Sequence, residues 1–377
     1  MKIGFVGRWS PEDKSAWSGT YYFTWKEISK HYQVEQFHYK WPFYIREYLI
    51  LHKQIQKIRN KKIAVEFLKG YAKYFSKQLE KDLIKRKVDI LFCPGAPQLL
   101  AYCNTGIPII YLADASFQQL QHYYLTFRDL ANYNIKQGIE LDKRTYQKST
   151  HIMLASDWAK SSAINDYSIA ENKISVVPLG ANLEKWPAAT DIKKEKTAVC
   201  NLLFLGVEWE RKGGQIALDT FYQLQKNNFN VTLTIVGCVP PFIIKDPHVS
   251  VIPFINKNIP AEEKILEEII HKSHFLLLPT RAECAGIVFC EASAYGIPSI
   301  TTDTGGVSSY VENGINGFAL PFSATGKDYA KSIQEIYCDN DKYLALCKNS
   351  RKRFEEILNW EAWGKSFCTI AELIYKK

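Results

Sequence analysis

The chain has little that would mark it for a membrane span, an oxidising compartment or a dinucleotide. No stretch approaches the ~18 consecutive apolar residues of a transmembrane helix. The start, Met1-Lys-Ile-Gly-Phe-Val-Gly7, is a lysine followed at once by a strand-like run, not the layout of a secretory signal. Cys-x-x-Cys is absent. The nine cysteines, at 93, 103, 200, 238, 284, 290, 338, 347 and 368, are odd in number and scattered. That argues against a disulfide framework and fits small buried hydrophobes in a reducing compartment. Gly-x-Gly-x-x-Gly is absent, and with it the dinucleotide fingerprint. No repeat of fixed period, low-complexity linker, RNP motif or helix-turn-helix pattern is present, so solenoids and nucleic-acid binding are not expected. Asp339-Asn340-Asp341 has the spacing of a metal-binding pair, but it lies between two helix-like runs and reads as a helix connector. No metal is expected. A cytoplasmic protein is, with peripheral attachment to the inner face of the plasma membrane as the further option.

What is present is an ordinary globular composition, 46% hydrophobic and 23% charged, in 377 residues. That length exceeds one ordinary core and suggests two domains. Strand-like runs at 3–6, 34–37, 89–93, 108–112, 151–155 and 174–177 fill the first half. Others follow at 202–205, 231–236, 249–254, 274–278 and 299–301, and Val311 to Phe318 reads as a turn leading into a strand. Helix-like runs at 20–29, 215–226, 261–272, 287–295 and 327–337 fall among them. Apolar strands separated by helices mean parallel sheets with both faces covered. The expected fold class is α/β, two Rossmann-like doubly wound domains facing a central cleft. The expected domains are 1–187 and 198–357, with a terminal helix at 358–377 crossing back to the first. The polar stretch 188–199 would join them.

One segment stands out: Arg281-Ala-Glu283-Cys-Ala-Gly286-Ile287-Val288-Phe-Cys-Glu291, followed by Ala-Ser-Ala-Tyr-Gly296-Ile-Pro298. It reads as strand, loop, helix, with the helix starting near Gly286. No Ser, Thr, Asp or Asn stands just before that start, so its first N–H groups lack a side-chain cap and suit an anion. Glu283 falls on the loop and Glu291 in the second turn. A ligand with hydroxyls at both ends and phosphates in the middle fits that layout. A second loop, Gly206-Val-Glu-Trp-Glu-Arg211-Lys212-Gly213-Gly214, sets adjacent cations between glycines, which suits a diphosphate; a solvated turn is the plainer reading. Thr302-Asp-Thr-Gly305-Gly306 is a third such turn. In the first half, Trp17-Ser-Gly19-Thr20 precedes a helix. Asp114 follows a strand, as a ligand contact or a helix N-cap.

These residues resemble the retaining nucleotide-sugar-dependent glycosyltransferases of family 4, whose two Rossmann-like domains form the GT-B fold. Glu283-x7-Glu291 followed by Ala-x-Ala-x-Gly-x-Pro carries the likeness, with Arg211-Lys-Gly-Gly, Gly305-Gly306 and Asn316-Gly317 in order and spacing. It is strongest over 200–320. Trp17-Ser-Gly-Thr20, Ala113-Asp114-Ala-Ser-Phe117 and Val176 to Asn182 are its pieces in the first half. The resemblance implies an acceptor-binding first domain and a donor-binding second. Glu283 would bind hydroxyls of the transferred sugar and Glu291 the nucleotide ribose. Amides of Gly286, Ile287 and Val288 would hold sugar or phosphate oxygens, and Arg211 and Lys212 would neutralise the diphosphate. Gly206 would line the donor site, Ile255 would meet the base, Gly19 would let backbone approach the phosphates, and Asp114 would reach the reacting sugar or the acceptor. No cofactor is implied beyond the nucleoside-diphosphate sugar, and the acceptor would be a glycan or lipid-linked hydroxyl. Val207 departs from the arginine many members carry, and Asp114 lies near where many carry histidine. A non-catalytic nucleotide-sugar-binding protein and a sugar-nucleotide epimerase are the alternative functions.

The net charge of +9 is concentrated. Residues 40–87 hold fourteen Lys/Arg and four Asp/Glu, and the remainder comes to 34 against 35. Lys69, Lys73, Lys77, Lys81 and Lys85 recur every four residues beside Ala64, Leu68, Tyr71, Phe75 and Leu79. This predicts an amphipathic helix with a lysine row. With the aromatics Trp41, Phe43, Tyr44 and Tyr48 just ahead, 40–87 could dock on an anionic membrane; the plainer alternative is a solvated face whose stripe packs on the first sheet.

Overall fold

A computed structural model describes residues 1–39, 47, 61–192, 194–257 and 259–376. Met1–Pro178 with Trp363–Lys377 make one compact unit and Leu179–Ala362 the other. The polar 188–199 stretch lies within the second. The aromatics at 41, 43, 44 and 48, and the cations from Lys40 to Arg59, lie outside the described residues.

In the first unit the strands are β1 (Lys2–Gly7), β2 (Gln33–His38), β3 (Ile90–Pro94), β4 (Ile109–Ala113), β5 (His151–Leu154) and β6 (Ile174–Val176). They form a parallel sheet in the order β2-β1-β3-β4-β5-β6. β3 and β4 are buried at every position, as expected of strands covered on both faces. Its helices are α1 (Thr20–Ser29), α2 (Lys69–Lys85), α3 (Pro97–Leu100), α4 (Phe117–Tyr123), α5 (Asn132–Lys148) and α6 (Asp157–Asn165). The lysine-row helix is α2. Ala64 and Leu68 stand ahead of it, flanking a 3-10 turn at Val65–Phe67. Its stripe of Tyr71, Phe75 and Leu79 is buried in the core that includes Val6, Phe37 and Leu91.

The second unit repeats the plan with β7 (Cys200–Leu205), β8 (Val231–Val236), β9 (Val249–Ile252), β10 (Phe275–Leu278), β11 (Ser299–Thr302) and β12 (Gly317–Leu320). Their order is β12-β11-β10-β7-β8-β9, again parallel. Its helices are α7 (Gly214–Lys226), α8 (Pro260–Lys272), α9 (Ile287–Ala294), α10 (Gly326–Cys338) and α11 (Asn340–Glu356). The chain runs outward from β7 to β9, then returns to β10 on the other side of β7. That reversal puts the loops after β7 and β10 side by side at the carboxyl ends of neighbouring strands, where open α/β sheets bind ligands.

The last helix, α12 (Trp360–Tyr375), begins in the second unit, and from Trp363 on it belongs to the first. Trp363 and Phe367 are fully buried and stack at 5.6 Å, both edge-on to Phe92 of β3. Asp339 caps α11, its carboxylate accepting from the Lys342 N–H at 3.0 Å. The acidic triplet is thus a helix connector. No described helix is long and apolar enough to cross a membrane.

Candidate active site

The loops after β7 and β10 are tied through Arg211. Its carbonyl accepts from the Arg281 N–H at 2.7 Å and the Thr280 hydroxyl at 3.2 Å, and its Nη1 donates to the Ala282 carbonyl at 2.9 Å. Two glycines allow this approach. At Gly213 the backbone is left-handed, φ 75°, and a Cβ would lie 1.9 Å from the Pro279 carbonyl oxygen. At Gly206 a Cβ would meet the Lys212 stem at 2.9 Å. The result brings together three residues singled out from the sequence. The Lys212 ammonium pairs directly with Glu283 Oε2, and Arg211 Nη1 lies 3.9 Å from the same oxygen. Glu283 and Lys212 are both buried. Arg211 is also ion-paired with Glu208. The two cations do not merely face the glutamate loop; they neutralise its carboxylate. The Glu283 carbonyl accepts from the Gly306 N–H at 2.9 Å, joining the Gly305-Gly306 turn to the cluster.

Four residues after Glu283, α9 starts at Ile287 with Gly286 as N-cap, no side-chain cap and no acid in its first turn. The Ile287 N–H bonds back to the Ala285 carbonyl at 3.2 Å, so of the three amides implied by the resemblance that one is engaged locally. Glu291 is buried in α9, and Lys257 holds its carboxylate at 2.6 Å. Lys257 carries no motif and escaped the sequence reading. Its only advance signal is its place two residues after Ile255, on the loop following β9. Ile255 packs against the core, while Phe254 is exposed. Cys284 and Cys290 are buried. Burial pushes the Cys290 thiol well above its ordinary range.

Gly19 and Asp114 lie in the first unit. Trp17, Ser18 and Gly19 are all left-handed, at φ 48°, 55° and 91°. The Trp17 indole N–H donates to Asp114 Oδ2 at 3.2 Å. The N-cap alternative for Asp114 is incorrect: Ser116 caps α4, in a reciprocal box with Gln119. An acid two positions before the cap is outside reach of that role. Under this turn, Asp142 of α5 accepts from the Phe117 N–H at 2.5 Å. Burial raises its carboxyl to about 7.

Residues 200–339 match the family described as "Glycosyl transferases group 1". Among curated proteins, the chain is 25% identical over 226 residues to the capsular polysaccharide biosynthesis glycosyltransferase CapM of Staphylococcus aureus, covering 55% of this chain and 57% of that protein. The chain spans about half the length of the curated relatives it matches. Among solved structures, sucrose-phosphate synthase of Thermosynechococcus elongatus superposes with a TM-score of 0.71 at 15% identity, over 100% of this chain and 99% of that one. HepE of Anabaena, in complex with UDP and glucose, gives 0.62 at 13% identity, over 98% and 99%. These structures show that the two-unit α/β fold is GT-B.

Proposed function

From the group 1 glycosyltransferase match over 200–339 as premise, we propose that the protein is a retaining, family 4 glycosyltransferase. It moves a hexose-type sugar from a nucleoside-diphosphate sugar to a hydroxyl of a glycan or lipid-linked acceptor, in cell-surface polysaccharide or glycoconjugate synthesis. The observation that carries this is the Arg211–Lys212–Glu283 cluster at the β7/β10 reversal, beside the uncapped start of α9. The capsular relative and the UDP- and glucose-bound fold neighbour support the donor and product classes.

The chemistry follows from charge. Breaking the bond from the sugar's anomeric carbon to the diphosphate oxygen builds positive charge on the sugar and negative charge on the leaving group. Arg211, Lys212 and the Gly286 and Val288 amides stabilise the second, preorganised for it. Each cation–phosphate pair at ~4 Å is worth on the order of 4 kcal/mol at an effective dielectric of 20, before desolvation. No metal is required in this scheme. The diphosphate draws the cations outward, and Glu283 turns to the sugar hydroxyls and ring. Glu291 takes the ribose, Ile255 meets the base, Gly206 and Gly19 let backbone approach the phosphates, and Asp114 serves the reacting sugar or acceptor. The acceptor proton passes to the departing phosphate oxygen as the new carbon–oxygen bond forms on the same face, which retains configuration. The acceptor is presented at an anionic membrane surface, with the lysine row of α2 as the docking face.

Incubation with a panel of sugar nucleotides, with and without acceptor glycans, tests the reading. Sugar transfer is expected from one donor, and Glu283→Ala should cut turnover by roughly a hundredfold while nucleotide binding changes far less. Turnover within about threefold of the parent would remove Glu283 from its role. Donor isomerisation without acceptor, seen by NMR, would replace transferase with epimerase.

A further inference from the structure

Lys257 stands in an unequal partnership. Its ammonium lies 2.6 Å from Glu291, whose side chain is 5% exposed against 40% for the lysine. The lysine can return to water at small cost. The carboxylate has no such exit: without a cation it is an unpaired buried charge. Glu291 therefore depends on Lys257 more than Lys257 depends on Glu291.

The backbone that carries Lys257 is anchored next to it. The Asn256 N–H donates to the Glu262 carboxylate at 2.7 Å, anchoring the segment to the first turn of α8. Pro260 opens that helix. The same loop carries Ile255, so a base contact and a carboxylate-holding cation come from one short segment.

Ribose offers two neighbouring hydroxyls, both hydrogen-bond donors. A carboxylate turned toward the pair accepts from both; a displaced one does not. We propose that Lys257 is a positioning residue: it holds the Glu291 carboxylate turned toward the ribose diol, and so sets a preference for ribonucleoside over deoxyribonucleoside diphosphates. This rests on Glu291 being the ribose ligand. Its action runs through Glu291 and not through the phosphates, so its effect must be smaller when a ribose hydroxyl is missing.

Calorimetric titration of the 377-residue chain with UDP, ADP and GDP identifies the tightest binder, which is then compared with its 2′-deoxy counterpart. The parent should prefer the ribo form by about tenfold. Lys257→Met should shrink that preference below about threefold, with the loss falling on the ribo form. Lys257→Arg should restore much of it. Glu291→Gln should show the same loss, and adding Lys257→Met to it should remove nothing more. Equal losses on both forms would overturn the proposal by assigning Lys257 to the phosphates. So would an unchanged preference, or a parent that binds nucleoside diphosphate without preferring ribose. A parent that binds none of the three overturns the donor reading itself, and this inference with it.

Discussion

At the residue scale, the costliest local choice is made at Trp17 and Ser18. Both are left-handed without being glycine, a conformation that costs about 1–2 kcal/mol per residue. Such backbone persists where the surroundings over-determine it, and functional loops are the usual place. Three contacts do so. The indole donates to Asp114, its ring lies against Gly95, where a Cβ would meet it at 3.4 Å, and Tyr21 meets it edge-on at 6.0 Å. Trp17→Phe keeps the ring and deletes the N–H. Turnover should fall about tenfold, the order of one hydrogen bond to a charged group, with little change in melting temperature. Asp114→Asn keeps an oxygen for the indole and deletes the charge, so a larger loss there measures the carboxylate's own part. Unchanged kcat in both variants would leave the loop without a role. Asp114 could be picked out in sequence as an acid after a strand, but Trp17, ninety-seven positions away, could not be paired with it. Lys257 escaped for the same reason, being a lone lysine whose partner is set by packing. Glu283, Arg211 and Lys212 were legible because glycines and a strand–loop–helix pattern bracket them.

At the element scale, the parallel strands could be read from their continuous apolar runs, and α1 matches its expected 20–29 span. Several first-unit helices did not stand out. α5 mixes buried Asn134, Asp142 and Thr145 into its inner face, and α4 is a single short stretch. Buried polar residues blur the period that marks a helix. The lysine-row helix was legible in kind but not in partner. Its stripe of Tyr71, Phe75 and Leu79 packs on the first sheet, which leaves Ile84 as the large apolar side chain of α2 that is exposed. Lys69, Lys73, Lys77, Lys81 and Lys85 are all exposed. The attachment proposed through α2 would therefore be chiefly electrostatic, on the order of 1 kcal/mol per lysine near an anionic surface, and steeply salt-sensitive. The protein should cosediment with vesicles containing phosphatidylglycerol at low salt and not with phosphatidylcholine alone. Replacing the five lysines by glutamine should release it. Equal sedimentation with both lipids sinks this attachment.

At the scale of the whole molecule, two units built on one plan differ in how protons act on them. In the first, Asp142 is buried and its carboxyl raised to about 7, against an ordinary 3.8. Between those values the folded form keeps a proton that the unfolded chain has released, so stability falls as pH rises through about 4 to 7 and the loss is complete above. In the second unit, burial chiefly, with Lys194 adding to it, lowers His274 to about 4 from 6.5. Its bonding agrees: Nδ1 accepts from the Asn201 N–H at 2.9 Å, which places the ring proton on Nε2, toward the Thr197 hydroxyl at 3.3 Å. Protonating Nδ1 would break the first bond. Between pH 6.5 and 4 the unfolded chain holds a proton that the folded form refuses, so stability here falls as pH drops, and the loss is complete below 4. The two contributions run in opposite directions over nearly the same window. Two-unit proteins often unfold in separable transitions, and calorimetry from pH 4 to 7 should follow each. Asp142→Asn, which keeps an acceptor for the Phe117 N–H, should raise the first unit's transition most at neutral pH and flatten its decline. His274→Asn, which keeps an acceptor for Asn201, should flatten the second unit's decline toward acid. The α12 segment from Trp363 should follow the first transition, since Trp363 and Phe367 pack on Phe92. If neither substitution alters the pH dependence of its own unit, the buried carboxyl and imidazole titrate as they do in the unfolded chain, and the assignment of opposite proton sensitivities to the two units fails.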